Sequence, residues 1–323
     1  MNRKEMHADE LAAAEKLLIA SREARWTFPT SSGRPVAWDT PAWAERLVND
    51  RRALVAAAAC LARHGDHAAA TELAANVWRV WVLARDEANG REFLAGVLDA
   101  DGAGTPTRFR ALALYGDGLL AFRLGVLGES RKRNEAALEA ARISKDREAE
   151  GLALIGLSRV DLSDGRGAEA REHAAGARAC LHEFEGYGQV PLHLLAQAHR
   201  LMGALDEAAA FFEESLALNR KVGDSGMVVA ELHNLGHVEL RRGNVDRAER
   251  CFEESAALAG ATDDPYGLAL RALNDAAVAL ARRDTGRAKT KFEEARAILA
   301  RNAITLASDD ARELEDLERR LRS

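Results

Sequence analysis

Apolar and small residues recur along the chain with a helical period, and between residues 203 and 295 the recurrence itself repeats. Ala208, Ala248 and Ala288 stand 40 residues apart, as do Phe212, Phe252 and Phe292, and each Phe is followed by two glutamates. A small-residue turn, Gly203 or Gly243, precedes the first two copies. A fixed period of this size marks stacked supersecondary units that bury their apolar faces only against one another. The pattern predicts helix pairs at 107–124 with 128–143, 148–164 with 166–183, 189–202 with 205–221, 226–242 with 245–259, and 265–282 with 285–301. Gly125, Gly165, Gly203 and Gly243 fall between partner helices, where the chain leaving a helix needs a left-handed residue. The fifth pair carries Arg283 and Asp284 at that place, with Gly286 displaced. Asp264 before Pro265 reads as a cap followed by a first-turn proline.

Upstream, Leu11, Ala14, Leu18 and Ala24 predict a helix over 7–26. Residues 27–40, TFPTSSGRPVAWDT, read as a loop, and Thr40–Pro41 as the next helix start. Helices are expected from Pro41 to Arg63, closed by Gly65, then from His67 to Ala84 and from Glu87 to Leu98. All five tryptophans lie at or before position 81, and Trp78 and Trp81 share a helix face, which reads as core packing. The Gly/Pro loop at 100–107 lacks the spacing of a phosphate-binding loop. The last helix, SDDARELEDLERRLRS, places acidic residues early and arginines late, in accord with the helix dipole. Its narrow stripe of Leu314, Leu317 and Leu321 suits a cap on one end of the array. The expected fold is therefore all-α: an α-solenoid of helix pairs, with an N-terminal helix and loop (1–40), the array (41–302) and a capping helix (303–323) forming one continuous unit.

In the fourth pair Leu232, Leu235, Gly236, Gly243, Ala248, Phe252 and Leu258 stand at the spacing L-x2-L-G-x6-G-x4-A-x3-F-x5-L. Gly236 and Ala248 allow close helix approach while Leu and Phe fill the seam. This resembles the tetratricopeptide repeat, which implies right-handed superhelical stacking. The period exceeds the usual ~34 residues of that family. Longer helices are typical of the repeat region of bacterial LuxR, AfsR and MalT-like STAND regulators. WAERLVNDRRALVAAAACLARHGD at 43–66, NGREFLAGVLDA at 89–100 and HADELAAAEKL at 7–17 are similar to the segments that lead into those repeats. The sequence has no Walker motif, winged helix or DNA-binding helix-turn-helix, so the resemblance implies a sensor region and carries over neither ATPase nor transcriptional activity.

Composition narrows the function classes. The chain is 47% hydrophobic and 30% charged with 6 prolines, as suits a helical protein with a large core. A net charge of -6 argues against a general nucleic-acid binder. Arg131, Lys132 and Arg133 read as a solvated helix face. Cys60, Cys180 and Cys251 are widely spaced, which suggests packed, reduced thiols in the cytoplasm. The N-terminus carries acidic residues where a signal peptide would be apolar, and no run approaches the ~18 apolar residues of a membrane span.

In a stack of such pairs the first helix of each lines the concave side. The groove positions are then Tyr115, Phe122 and Arg123 in the first pair and Arg159 in the second. The third gives His193, Gln197 and Arg200, the fourth His233, Asn234, His237 and Arg241, and the fifth Asn274. Arginine and amide side chains there suit carboxylates or a peptide backbone. The leading expectation is a non-catalytic sensor or interaction module for a peptide, a protein segment or a small acidic ligand, in bacterial regulation. Two alternatives stay open: a helical-repeat enzyme or biosynthetic accessory using His193, His233 and His237, and a scaffold that dimerises through its aromatic end. No cofactor, metal or catalytic residue is expected, since the histidines are accompanied by no HExxH, GxSxG or GxGxxG motif. The FEE triplets read as seam phenylalanines followed by solvated glutamates.

Overall fold

The helix-forming composition and the regular apolar spacing produce seventeen helices, and no strand, among the described residues of the computed structural model. These residues are 3–26, 42–102, 104–184, 187–259, 264–306 and 308–322. The expected loop at 27–40 and the Thr40–Pro41 start lie outside them. In chain order the helices are α1 (Arg3–Trp26), α2 (Ala42–Asn49), α3 (Arg51–Arg63), α4 (His67–Val77), α5 (Arg79–Leu83), α6 (Glu87–Ala100), α7 (Arg108–Arg123), α8 (Leu127–Ser144) and α9 (Arg147–Ser163). There follow α10 (Gly167–Leu181), α11 (Gln189–Leu201), α12 (Leu205–Val222), α13 (Ser225–Arg241), α14 (Val245–Ala259), α15 (Pro265–Ala281), α16 (Thr285–Arg301) and α17 (Ser308–Arg322).

Two helices expected to be continuous are broken. The stretch 41–63 divides at Asp50, which follows Asn49 in a pair of residues that favour turns over helix interiors. The stretch 67–84 divides at Trp78, whose indole is wedged against Gly116 of α7. The pair boundaries otherwise fall within two residues of expectation. Gly125, Gly165, Gly203 and Gly243 all have positive φ, between 74° and 82°, and Arg283 takes the same left-handed place in the fifth pair at 65°. Asp146, Asp224, Asp264 and Asp284 cap α9, α13, α15 and α16 by accepting first-turn amide N–H groups.

The chain divides into two compact units, residues 1–195 and 196–323. In the first, α7 packs on α8 and α9, α9 on α10, and α1 on α3 and α4. Leu54, Leu73, Leu94, Leu120, Leu152 and Ile155 are fully buried there. Trp78 and Trp81 are core residues, as expected from their spacing: Trp78 meets Tyr115 edge to face and Trp81 stacks on Phe93. In the second unit α13 packs on α12 and α14, α15 on α16, and α17 on α15 and α16.

The three repeated phenylalanines each anchor a cluster in that unit. Phe212 packs with Ala196, Leu216, Val228 and Leu235, Phe252 with Ala248 and Val278, and Phe292 with Leu273, Ala276 and Leu317. Leu314 and Leu321 join the last cluster, so the predicted leucine stripe of α17 is its packing face. The glutamates after the phenylalanines point outward and meet cations: Glu213 pairs with Arg247, Glu254 with Arg220 and Glu294 with Lys291. Arg131, Lys132 and Arg133 are likewise paired, with Asp161, Glu129 and Asp117. The three cysteines are free and buried, and burial raises the Cys180 and Cys251 thiols above their ordinary range. No described helix is long and apolar enough to cross a membrane.

Candidate functional site

In the first unit the expected groove residues lie on α7, α9 and α11 and differ in exposure. Tyr115 is buried to 1% exposure in the α7 core, so it lines no open groove, contrary to its expected place. Its position faces the bulky Trp78, and edge-to-face packing of the two rings outweighs exposure of one phenol. Phe122 is half-buried, and Arg123 is exposed and bonded to Glu87 at 2.8 Å. Arg159 and His193 are half-buried on α9 and α11.

The second unit brings its expected residues together. Arg200 ends α11, His233, His237 and Arg241 lie on consecutive turns of α13, and Asn274 is on α15. The polar ends of the two arginines and two histidines converge on two carboxylates of α17, which were not among the expected residues. Asp310 accepts from His233 Nε2 at 3.1 Å and from the Tyr266 hydroxyl at 2.6 Å. Asn274 Nδ2 lies 3.1 Å from His233 Nδ1, within hydrogen-bond reach. Glu313 accepts from Arg241 at 2.8 Å and from Arg200 at 3.2 Å, and its other oxygen stands 3.6 Å from His237 Nδ1. Gln197 is half-buried on α11, and Asn234 turns its amide to the Ala230 carbonyl of its own helix.

The floor of this arrangement is Phe252. Its ring lies 5.1 Å from the His237 ring and 6.1 Å from that of His233. It packs on Gly236, where a Cβ would stand 2.4 Å from the phenyl Cε1. Gly236 therefore lets the ring lie against the α13 backbone directly between the two histidines. The space left among His233, His237, Asn274, Asp310 and Glu313 is about 30 Å³. That is room for a water molecule or two.

Electrostatics follow the burial. Burial pushes His237 well below the ordinary imidazole value, and His233, Arg200 and Arg241 act in the same direction. Burial would raise the Asp310 carboxyl, but hydrogen bonds from His233 and Tyr266 and the charge of Arg200 hold it below its ordinary value. The sign of the pH dependence follows. His237 binds a proton more readily when unfolded, so its contribution to stability is full above an ordinary imidazole pKa of about 6.5 and falls as pH drops below it. The Asp310 contribution is lost only at lower pH, through its depressed folded value. Denaturant unfolding is expected to show lower stability at about pH 5.5 than at about pH 7.5, with a smaller difference in His237→Gln. Equal pH sensitivity of the variant contradicts the assignment to His237.

His233 and His237 meet at 4.7 Å between ring centroids, while His193 belongs to the other unit. Among the described residues no group of three or more His, Cys, Asp or Glu side chains could hold a metal ion. The chemistry this site displays is recognition of carboxylates by arginine, imidazole and phenol donors.

Residues 192–225 and 228–301 match the tetratricopeptide repeat family, and the helix pairs there are tetratricopeptide repeats. No curated protein matches the sequence. Solved structures share the fold. A tetratricopeptide repeat protein from Parabacteroides merdae is 13% identical, with a TM-score of 0.54 over 87% of this chain and 96% of its own. A Rap protein complexed with competence and sporulation factor is 11% identical, with a TM-score of 0.58 over 98% of this chain and 96% of its own. A STAND protein with a tetratricopeptide repeat sensor from Pyrococcus horikoshii is 14% identical, with a TM-score of 0.55. It is matched over 79% of this chain and 43% of its own length. At these identities the likeness is one of fold.

Proposed function

We propose that the chain is a non-catalytic interaction module, a sensor element of bacterial regulation acting in the cytoplasm. Its second unit binds an acidic amphipathic helix of a protein partner. The observation that supports this reading is the convergence of α11, α13 and α15 on Asp310 and Glu313. Four side chains singled out as groove residues, Arg200, His233, His237 and Arg241, meet the two acids of one short helix, beside an apolar cluster that takes its leucines. An acidic helix is thus the kind of segment this surface accepts, and α17 is such a segment held in cis. Tetratricopeptide repeats serve protein–protein interaction in general, and the matched STAND protein carries such repeats as a sensor.

A partner helix must compete with α17, whose tether gives it a high effective concentration, of millimolar order for short flexible linkers. The test uses the full chain and a labelled peptide of the α17 sequence, SDDARELEDLERRLR. In Asp310→Asn/Glu313→Gln the resident helix loses both carboxylates, and the peptide is expected to bind about tenfold or more tightly than to the unaltered chain. Equal binding by the two chains, or equal binding of a scrambled peptide of the same composition, refutes the reading.

A further inference from the structure

The first unit carries an open groove between α3 and α6 that holds about 1080 Å³. Its floor is Trp81 and Phe93, whose rings stack at 4.6 Å. Its walls are small: Ala58, Ala59 and Ala62 on α3, Gly96 and Ala100 on α6. Val55, at the edge, is 43% exposed. These residues recur at steps of three and four, so each wall is one face of a helix.

Gly96 sets this groove apart. Elsewhere in the chain a glycine inside a helix receives a side chain from a neighbouring element. Gly90 lies under Trp81, Gly116 under Trp78, Gly151 under Leu181 and Gly236 under Phe252. A Cβ at any of these four would stand 2.4–2.7 Å from the covering side chain. Gly118 and Gly156 face Asn134 in the same way. Gly96 lies well inside α6 and is exposed, and a Cβ there would meet nothing within 4 Å. Glycine is a poor residue for a helix interior unless a close approach requires it. The rims of the groove carry charge. Arg52 and Arg63 on α3 are exposed, and neither is paired with an acid among the described residues. They stand 11 residues apart, about 16 Å along the helix. On the α6 side Asp86 is matched to Arg51 at 3.7 Å, and Glu92 is exposed.

We infer that this groove docks an amphipathic helix of a protein partner, with a bulky apolar side chain seated on Gly96 and acidic residues on the flank facing Arg52 and Arg63. Two helix faces offer ridges and grooves and no open backbone edge, so a helix is the element that fits. At 13 residues α3 is about 20 Å long, which is room for about four turns of partner helix. The site belongs to the first unit and does not depend on how α17 docks in the second.

The probe is a displayed library of helix-forming 15-residue peptides, selected on the full chain and then measured singly by anisotropy. An enriched family is expected to carry bulky apolar residues at i, i+3 or i+4, and i+7, with Asp or Glu along one flank. Its affinity should fall about tenfold or more in Gly96→Leu, where the leucine takes the place of the incoming side chain, and in Arg52→Glu/Arg63→Glu. It should be unchanged in Asp310→Asn/Glu313→Gln. The free Gly96→Leu chain should melt about 2–4 °C higher than the unaltered one, because leucine favours the helix and enters open space. A lower midpoint means that the chain itself fills the space, and overturns the site. So does a selection that yields no family sensitive to Gly96→Leu. Enriched helices with a basic flank, bound more tightly by Arg52→Glu/Arg63→Glu, overturn the charge of the partner. Self-association that Gly96→Leu abolishes makes the occupant a second copy and overturns the assignment to another protein.

Discussion

Glu313→Ala is expected to destabilise the second unit by about 3 kcal/mol, read as a fall in denaturant midpoint at constant m-value. Glu313 is the acceptor shared by Arg200 and Arg241, and it is 15% exposed. Arg200 is more deeply set, at 8%. Removing the carboxylate takes the shared acceptor from Arg200 and Arg241 and leaves the two cations facing each other, beside an imidazole whose own pKa is lowered by burial. The cost of breaking a buried pair on one side exceeds the modest worth of the pair itself. Two companion variants separate these terms. Arg241→Ala should cost under about 1 kcal/mol, since Arg241 is 39% exposed and screened. Arg200→Met combined with Glu313→Leu should come near neutral, because a matched apolar pair replaces a matched ionic one. A Glu313→Ala chain as stable as the original means that α17 is held by its leucines alone.

Phe252→Ala is expected to cost about 3–5 kcal/mol, the range for deleting a buried aromatic ring. Phe252 fills the seam between α13 and α14, with Ala248 and Val278 beside it and Gly236 against its ring. Its loss also removes the surface on which His233 and His237 rest. Both histidines then gain freedom, so the variant should weaken α17 docking as well as the fold. Protection of α17 amides from hydrogen exchange would fall further than protection of α12 amides. The mirror-image change, Gly236→Ala, drives a methyl into the same ring and should be destabilising with no loss of apolar area. A Phe252→Ala chain that unfolds like the original, with unchanged α17 protection, contradicts this picture.

Much of the scaffold is legible in the sequence because packing repeats. The Ala–Phe marks, the turn glycines and the leucine stripe of α17 each predict a contact that the structure contains. The departures have local causes. Trp78 interrupts an expected helix because its ring is pressed onto Gly116, a contact 38 residues away that no local pattern contains. Tyr115 is placed as groove lining by its repeat position, yet the size of Trp78 draws it into the core.

The candidate site was half legible. Arg200, His233, His237, Arg241 and Asn274 stand out in the sequence as groove positions, but the acceptors they meet do not. Asp310 and Glu313 read in the sequence as acids suited to a helix N-terminus. Their second role depends on α17 bringing them within reach of side chains on α13 and α15. The readable signal was their i, i+3 spacing next to Leu314 and Leu317, which puts charge and leucine on neighbouring faces of one helix.

The most direct measurement of the central claim is binding in trans. A chain ending at residue 306 is titrated with the α17 peptide and with its Asp310→Asn/Glu313→Gln counterpart, followed by anisotropy and by the gain in thermal stability. The account predicts saturable binding of the acidic peptide, a stabilised second unit, and an affinity loss of about tenfold or more for the neutralised peptide. Equal binding of the two peptides, or no saturable binding to a chain that keeps its helicity, would contradict it.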